Sequence, residues 1–429
     1  MTPNRNVNFL EARAFVTTPE TVAIDSTTIA KPMSPNKWRW LVWSVSCLIV
    51  AAVVILGGRY GYRKWQEQQT KAFTKQCRQF REKGDWEQLA NVSKKWNDWD
   101  AGNADAILFR AEAAQGQDDL ATAADLLAQL PETSPKRIPA LMARTSLLLG
   151  PLNRPLEGIQ TCQLALEINP RVYLAHQRLI FYYAITLQNE KLLAQIHQSL
   201  ELECEPVDAY SYLIMADDIT LTNGFEVNNN WLKGDINQEE FLVARTIHMW
   251  NQLRIEPFPN AETVEKIKLA EKLLSEYRQR FPKNAAVIAF HIEKSMVSGD
   301  LDQIESLLAA YPSHSDSRYW RYRGWWLAGC DRIDESESAY RESLKQFPLS
   351  WMSRHELADV LRRKQQFREV VDLEKLVVQG KDLREKIMKL PDVQKLDPET
   401  LREFRDYADQ CGDQLAATSL NRRVGRMTK

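Results

Sequence analysis

The string His355-Glu356-Leu357-Ala358-Asp359 comes nearest to a metal-binding motif in this sequence. A zinc-protease helix needs H-E-x-x-H, because two imidazoles one helical turn apart must face the same ion. Here Asp359 takes the place of the second histidine. The other histidines are scattered along the chain, at His176, His197, His248, His291 and His314. We therefore predict packing or surface roles for the histidines and no metal site.

Motifs for nucleophilic or phosphate chemistry are absent from the sequence. It contains no G-x-S-x-G, no G-x-x-x-x-G-K-[ST] and no G-x-G-x-x-G, the signatures of many hydrolases, P-loop NTPases and dinucleotide-binding enzymes. Acidic residues do occur in pairs, at Asp118-Asp119, Asp217-Asp218 and Glu335/Glu337. We interpret these pairs as solvated faces or turns of amphipathic helices. We predict no catalytic residue, no cofactor and no enzymatic activity.

A short stretch interleaves aromatic residues with arginines: Arg318, Tyr319, Trp320, Arg321, Tyr322, Arg323, Trp325 and Trp326. Such a run could stack nucleic-acid bases. The whole chain, however, has 56 Lys and Arg against 57 Asp and Glu, a balance that argues against a nucleic-acid binder. On a helix, Trp320 and Gly324 share a face that packing explains, whereas Arg318, Arg321 and Trp325 share another. Arginine beside tryptophan on an accessible face suits an acidic or aromatic ligand.

The elements that position these residues are predicted to be helices. Only 16 glycines and 18 prolines occur in 429 residues, fewer than a β-rich chain usually spends on turns. After residue 66, apolar residues recur at spacings of three and four, which indicates amphipathic helices. The six cysteines are widely scattered without a C-x-x-C pair, so we interpret them as small apolar residues of helices. The fold class is therefore predicted to be all-α.

One segment is predicted to cross a membrane. Residues 40–58 are 19 residues without a charge. At about 1.5 Å per residue they cover roughly 28 Å, the thickness of the hydrocarbon core of a bilayer. Aromatic residues flank the segment as an aromatic belt would: Trp38, Trp40, Trp43, Tyr60, Tyr62 and Trp65. Too many residues precede it for a cleaved signal peptide. Lysines and arginines are nearly balanced on its two sides, so the positive-inside rule assigns no side to the remainder.

Prolines that end helical stretches recur along the rest of the chain, at Pro170, Pro206, Pro282, Pro312 and Pro348. Their spacings are 36, 76, 30 and 36 residues, and the second spacing is about two periods. A period of about 34 residues predicts a solenoid of helix–turn–helix units. Each pair of amphipathic helices cannot bury both of its apolar faces alone, so successive pairs are expected to stack on one another.

The stretch Ser317–Pro348 resembles a tetratricopeptide (TPR) repeat. The large, small, small, aromatic, small and proline positions of that repeat match Trp320, Gly324, Ser336, Tyr340, Ser343 and Pro348 in one register. Leu327 departs from the usual tyrosine. Weaker units extend the resemblance over most of residues 67–380. The resemblance implies antiparallel helix pairs whose first helices line a groove for peptides or partner segments.

The groove positions of the TPR family correspond to six residues of this chain: Arg318, Arg321, Trp325, His176, Leu179 and Tyr183. They are the candidate partner-binding residues. The lysine and asparagine with which some TPR proteins clamp a C-terminal carboxylate are replaced here by Arg321 and Trp325. The resemblance therefore does not imply a receptor for chaperone tails.

The predicted domain order has four parts. Residues 1–37 are expected to form a disordered tail, and residues 38–60 a transmembrane helix. Residues 67–380 form the TPR-like array, interrupted by a polar loop at about 220–237 that is rich in Asn and Gly. Residues 381–429 are predicted to be a helical, polar C-terminal cap and tail.

These features favour a single-pass membrane protein that acts as a TPR-like scaffold or adaptor. Its predicted partners are other proteins or peptide segments, with the membrane contacted through residues 40–58. An alternative is a chaperone-like biogenesis or assembly factor that handles exported or unfolded chains at the membrane. A third hypothesis is an enzyme whose site is assembled from dispersed residues between helices.

Overall fold

All regular secondary structure that is described in this protein is α-helical. The predicted all-α fold class is therefore confirmed. The structure, a computed structural model, describes residues 35–254, 260–392 and 394–427. Internal contacts divide the chain into two compact units, Met1–Lys71 and Ala72–Lys429.

Helix α1 (Pro35–Lys83) covers the segment predicted to cross a membrane and is longer than the predicted 38–60. It continues because the lysines, glutamines and arginines that follow are good helix formers, and the first turn residue is Gly84, at φ +69°. Among the described residues, α1 is the one helix that is long and apolar enough to cross a membrane. The predicted tail, residues 1–37, lies outside the described residues except for its last three, with which α1 begins.

Short helices follow one another through the second unit. The first seven are α2 (Trp86–Trp99), α3 (Ala104–Gly116), α4 (Leu120–Ala128), α5 (Arg137–Leu149), α6 (Pro155–Ile168), α7 (Tyr173–Ile185) and α8 (Asn189–Glu201). The middle six are α9 (Val207–Met215), α10 (Gly224–Trp231), α11 (Glu239–Arg254), α12 (Ala261–Arg280), α13 (Ala285–Ser298) and α14 (Leu301–Ala309). The last six are α15 (Ser317–Gly329), α16 (Ile333–Gln346), α17 (Trp351–Arg363), α18 (Phe367–Met388), α19 (Pro398–Cys411) and α20 (Gln414–Met427). Most consecutive helices of this unit pack on each other, as a solenoid requires, with α9 and α10 as an exception.

The same turn recurs between the two helices of several pairs. One residue adopts a left-handed φ between 57° and 71°, at Asp118, Leu187, Gly299, Asp331 and Gln365. The next residue then donates its N–H to the last turn of the preceding helix. For example, the Arg332 N–H binds the Leu327 carbonyl at 2.9 Å. This recurrence supports the repeat that the proline spacing predicts.

The pair α15/α16 packs as the TPR resemblance implies. Gly324 lies so close to Tyr340 that a Cβ added to the glycine would be 2.8 Å from the tyrosine ring. The Ser336 hydroxyl donates to the Gly324 carbonyl at 2.7 Å, and Ser343 donates to the Ser317 carbonyl at 2.9 Å. The small residues therefore allow the two helices to approach closely.

The polar loop predicted at about 220–237 contains a helix, α10, so the loop prediction is wrong in its central part. The Asn228 amide is fully buried and donates to the Ile185 carbonyl at 2.9 Å. The Trp231 indole donates to the Leu149 carbonyl at 3.1 Å. The segment looks like a loop because its asparagines are polar, but the hydrogen bonds from Asn228 to α7 and from Trp231 to α5 hold it as a packed helix.

The C-terminal helices do not only cap the array. Helix α20 packs on α8, and α18 packs on α9. The Tyr210 hydroxyl lies 2.8 Å from that of Ser419, and the ring centroids of Tyr210 and Phe404 are 6.3 Å apart. The predicted polar cap therefore has a buried apolar face, because it closes against helices in the middle of the chain.

Candidate functional site: a buried polar cluster and an open groove

Helix α15 positions Arg318 at its first turn, beside the residue that caps the helix. The cap is Asp316, whose carboxylate accepts the Arg318 backbone N–H. The Arg318 guanidinium also pairs with this carboxylate at 2.7 Å, and the Tyr311 hydroxyl donates to it at 2.8 Å. Burial favours a higher pKa for Asp316, but the attraction of Arg318 prevails and lowers that pKa below its usual value. Arg318 is therefore engaged in ordering the start of its own helix.

Arg321, one turn further along α15, lies at the centre of a polar cluster that is buried except at Glu293, whose side chain is 52% exposed. Its guanidinium donates to Glu356 of α17 at 3.2 Å and to Glu293 of α13 at 3.3 Å. It also lies over the Tyr322 ring, 4.8 Å from the centroid, and the Tyr322 hydroxyl donates to Glu293 at 2.6 Å. Only 3% of the Arg321 side chain is exposed. The arginine thus ties three neighbouring helix pairs together.

Glu356 is the acidic group whose protonation is most strongly affected by this cluster. Burial raises the pKa of its carboxyl to about 7. Arg321 opposes this rise by attraction, whereas the carboxylates of Asp217 and Glu293 add to it by repulsion. Glu356 therefore changes its charge near neutral pH, a property that the sequence motif around His355 did not reveal.

Asp217 and Asp218 lie in the turn after α9, as the sequence predicted, and the Asp218 side chain is 48% exposed, but both residues also bind the C-terminal helices. The Ser350 hydroxyl donates to Asp217 at 2.8 Å, and the Met352 N–H lies 3.4 Å from the same carboxylate. Arg384 pairs with Asp218 at 2.6 Å. The sequence did not reveal these contacts, because the start of α17 and the C-terminal end of α18 supply donors from residues far away in the sequence.

The candidate residues of α7 are packed in the core. His176 and Leu179 are 0% and 1% exposed, and Tyr183 is 9% exposed. The His176 Nε2–H donates to the Pro170 carbonyl at 2.8 Å, and its Nδ1 accepts from the Gln195 amide at 2.7 Å. Burial lowers the pKa of His176, so its ring is neutral at physiological pH.

The structure therefore places the six candidate residues in two separate settings. Arg318, Arg321 and Trp325 lie together on α15. Trp325 is half-buried and packs against two neighbouring apolar clusters. The other three lie on α7. Packing and internal ion pairs account for their positions, and a partner-binding role for any of them stays a prediction.

An open groove between α5 and α7 is a site that the sequence did not indicate. Its volume is about 520 Å³, and apolar side chains form most of its lining. The residues that line it include Ile138, Pro139, Met142, Ala143, Tyr173 and Leu174. Tyr173 and Leu174 begin α7 and are 41% and 46% exposed. The sequence shows only the adjacent apolar residues Tyr173 and Leu174 shortly after Pro170, and it does not show that they are exposed.

A second groove, between α18 and α19, has a different chemical character. Its volume is about 550 Å³, and its lining is mostly charged. Much of that charge is neutralised within the groove, where Lys386 pairs with Glu403 at 2.5 Å and Lys389 with Glu385 at 2.6 Å. In the part of the chain that the structure describes, no group of three or more His, Cys, Asp or Glu residues is placed to hold a metal ion.

Comparison with known proteins gives a loose likeness to two solved structures. One is a chain of the APC/C hetero-tetramer Cut9–Hcn1, at 13% identity and a TM-score of 0.30, covering 83% of this chain and 79% of that one. The other is yeast Tom70, at 14% identity and a TM-score of 0.25, covering 80% of this chain and 88% of that one. Superpositions this loose carry no argument about function. No protein-family model and no curated protein matches the chain.

Proposed function

We propose that this protein is a membrane-anchored scaffold or adaptor that binds other proteins or peptide segments through its helical array, without catalysis. The observation that carries the proposal is the open apolar groove between α5 and α7. We assign the partner contact to this groove rather than to Arg321, because the Arg321 side chain is already paired within the array.

The groove has the properties of a recognition site for an apolar segment. Leu174 and Tyr173 expose almost half of their surface although they stand on a well-packed helix. Covering such side chains with a partner contributes roughly 25 cal/mol for each Å² of apolar surface removed from water. The Tyr173 hydroxyl can donate to a bound segment, and the Ser146 hydroxyl, which itself donates to the Met142 carbonyl, can still accept from one.

Helix α1 supports the membrane part of the proposal. From Trp43 to Leu56 its large apolar side chains are all exposed, which water would disfavour and a bilayer would accommodate. Attachment to a surface raises the effective concentration of the groove for partners that are held on the same membrane. An anchored array can therefore act with weak individual contacts.

The test is crosslinking of the full chain in its native membrane, followed by purification and identification of stoichiometric partners. Leu174→Glu places a charge in the groove, and we expect it to reduce recovery of a groove-bound partner at least about tenfold, the equivalent of roughly 1.4 kcal/mol. Leu164→Glu is the matched control, because Leu164 is a 36% exposed leucine of α6 outside the groove. Equal recovery of every partner with both variants would show that the groove is not the binding site.

The apolar lining also favours the second candidate function, a chaperone-like factor for unfolded or exported chains. Such a factor would suppress the aggregation of unrelated unfolded proteins, and Leu174→Glu would weaken that activity. A selective scaffold would leave the aggregation of unrelated proteins unchanged while retaining its own partners.

A further inference from the structure

Helix α1 carries a ring of cations and aromatic side chains directly after its apolar segment. We call this ring the basic collar, and its members are Arg59, Tyr60, Tyr62, Arg63, Lys64 and Trp65. Between Asp25 and Glu67 the sequence contains no acidic residue. The collar is therefore a local excess of three positive charges, although the chain as a whole is almost neutral.

The collar side chains are exposed and only weakly engaged within the chain. Tyr60 and Tyr62 are 63% and 60% exposed. Arg63 lies 3.6 Å from Glu67, but 82% of its side chain is exposed, and ion pairs of this kind contribute little. Lys64 lies over the Tyr60 ring at 5.2 Å from the centroid. The three cations are thus available to an external partner.

The position of the collar along α1 determines which partner can reach it. The collar covers seven residues, which span roughly 10 Å along the helix. This length is comparable with the thickness of the headgroup layer on one side of a hydrocarbon core that is about 30 Å thick. When residues 40–58 occupy that core, the collar lies among lipid headgroups, where tyrosine and tryptophan are also favoured. Phosphate groups are then the nearest anions.

We propose that the basic collar binds the phosphate groups of anionic phospholipids and gives the protein a preference for anionic membranes. This inference rests on the proposed membrane anchoring. Each lysine or arginine near an anionic surface contributes about 1 kcal/mol, which corresponds to about fivefold in affinity. The effect falls off within a Debye length of roughly 10 Å, so it is confined to cations close to the apolar segment.

The test uses the full chain reconstituted into phosphatidylcholine vesicles that contain spin-labelled phosphatidylglycerol or spin-labelled phosphatidylcholine. Electron spin resonance measures the protein-immobilised fraction of each lipid, and the ratio of the two association constants is the readout. For the native chain we expect a several-fold preference for phosphatidylglycerol that decreases in about 1 M salt, where the Debye length is about 3 Å. The triple variant Arg59→Gln, Arg63→Gln, Lys64→Gln should lower the ratio several-fold, to the smaller preference that Lys37 and Arg39 at the other end of the segment maintain.

A matched control removes the same charge further along the helix. Lys71, Lys75 and Arg78 are exposed on one stripe of α1, and Lys71 begins roughly 10 Å beyond Lys64. Replacing all three by glutamine should leave the lipid preference intact. A ratio of one for the native chain, or equal losses in the two triple variants, would overturn the collar proposal. Absence of any immobilised lipid component, for either lipid, would instead contradict membrane anchoring itself.

Discussion

Arg321 and its carboxylate partners show what a charged side chain does when the array buries it. Removing an arginine from water is costly, and hydrogen bonds to Glu293 and Glu356 offset that cost. Burial raises the pKa of Glu356, and repulsion from Asp217 and Glu293 adds to the rise while Arg321 opposes it, so the Glu356 carboxyl lies near its point of protonation. The contribution of this cluster to the free energy of unfolding is therefore expected to depend on pH.

We predict that Glu356→Gln removes part of the pH dependence of stability. The pKa of Glu356 is about 7 in the folded state and about 4.5 when it is unperturbed, so the folded state binds the proton more tightly. The resulting stabilisation is complete below about pH 4.5 and is lost as the pH rises through 7, with a ceiling of about 3 kcal/mol. Native protein should therefore melt at a lower temperature at pH 8 than at pH 6, and the glutamine variant should show a smaller difference.

Thermal unfolding of the detergent-solubilised chain at the two pH values provides the measurement. Glu305→Gln, which changes an exposed glutamate of α14, serves as the control and should retain the native pH dependence. If Glu356→Gln also retains all of it, another group is responsible.

At the scale of elements, α10 shows that close packing can turn a polar segment into a helix. Gly224, the first residue of α10, lies so near to His248 of α11 that a Cβ would be 2.4 Å from the imidazole ring. The His248 Nε2 also lies 3.0 Å from the Ile185 carbonyl. The glycine is therefore needed for its small size, and the imidazole cannot move aside without losing a hydrogen bond.

We predict that Gly224→Ala destabilises the array by about 1–3 kcal/mol, the usual range for overpacking. Gly425→Ala is the matched control, because Gly425 lies in α20 with no atom within 4 Å of its added Cβ. Alanine is the better helix former, so this control should be neutral or stabilising by up to about 1 kcal/mol. Melting temperatures of the two variants test the prediction, and similar values for both would show that the contact with His248 is unimportant.

At the scale of the second unit, its C-terminal helices close back on its middle. Tyr210 of α9 contacts Phe404 of α19 and Ser419 of α20, and the Arg423 guanidinium donates to the Glu205 carbonyl at 2.6 Å. In a simple solenoid each pair touches only its neighbours. Here the stability of α9 is expected to depend on helices that follow it by about two hundred residues.

We predict that Phe404→Ala lowers the stability of α9 as well as that of α19. Phe404 is 0% exposed, and truncation of a buried phenylalanine typically costs about 3–5 kcal/mol. Hydrogen exchange should show faster exchange for the amides of Val207–Met215. Phe109→Ala is the control, because Phe109 belongs to a separate apolar cluster with Trp96, near α1. If α9 exchanges equally fast in both variants, the closure does not stabilise the middle of the array.

The amino-acid sequence alone determined the local features of this protein. Apolar spacing of three and four residues, prolines at helix ends and an uncharged run of 19 residues predicted the helices, the repeat and the candidate membrane segment. These features depend on neighbours within one or two turns, so they can be read without a structure. The contact between Gly324 and Tyr340 was predictable for the same reason, because it lies within one repeat.

Only the tertiary structure decided which charged residues are buried and which groove is open. Asp217 meets Ser350 across 133 residues, and Tyr210 meets Ser419 across 209 residues. No local pattern specifies such pairs, because their geometry follows from the accumulated rotation of many stacked helices. For that reason Arg321 appeared accessible in the sequence but is buried, whereas the groove beside Leu174 had no clear sequence signal.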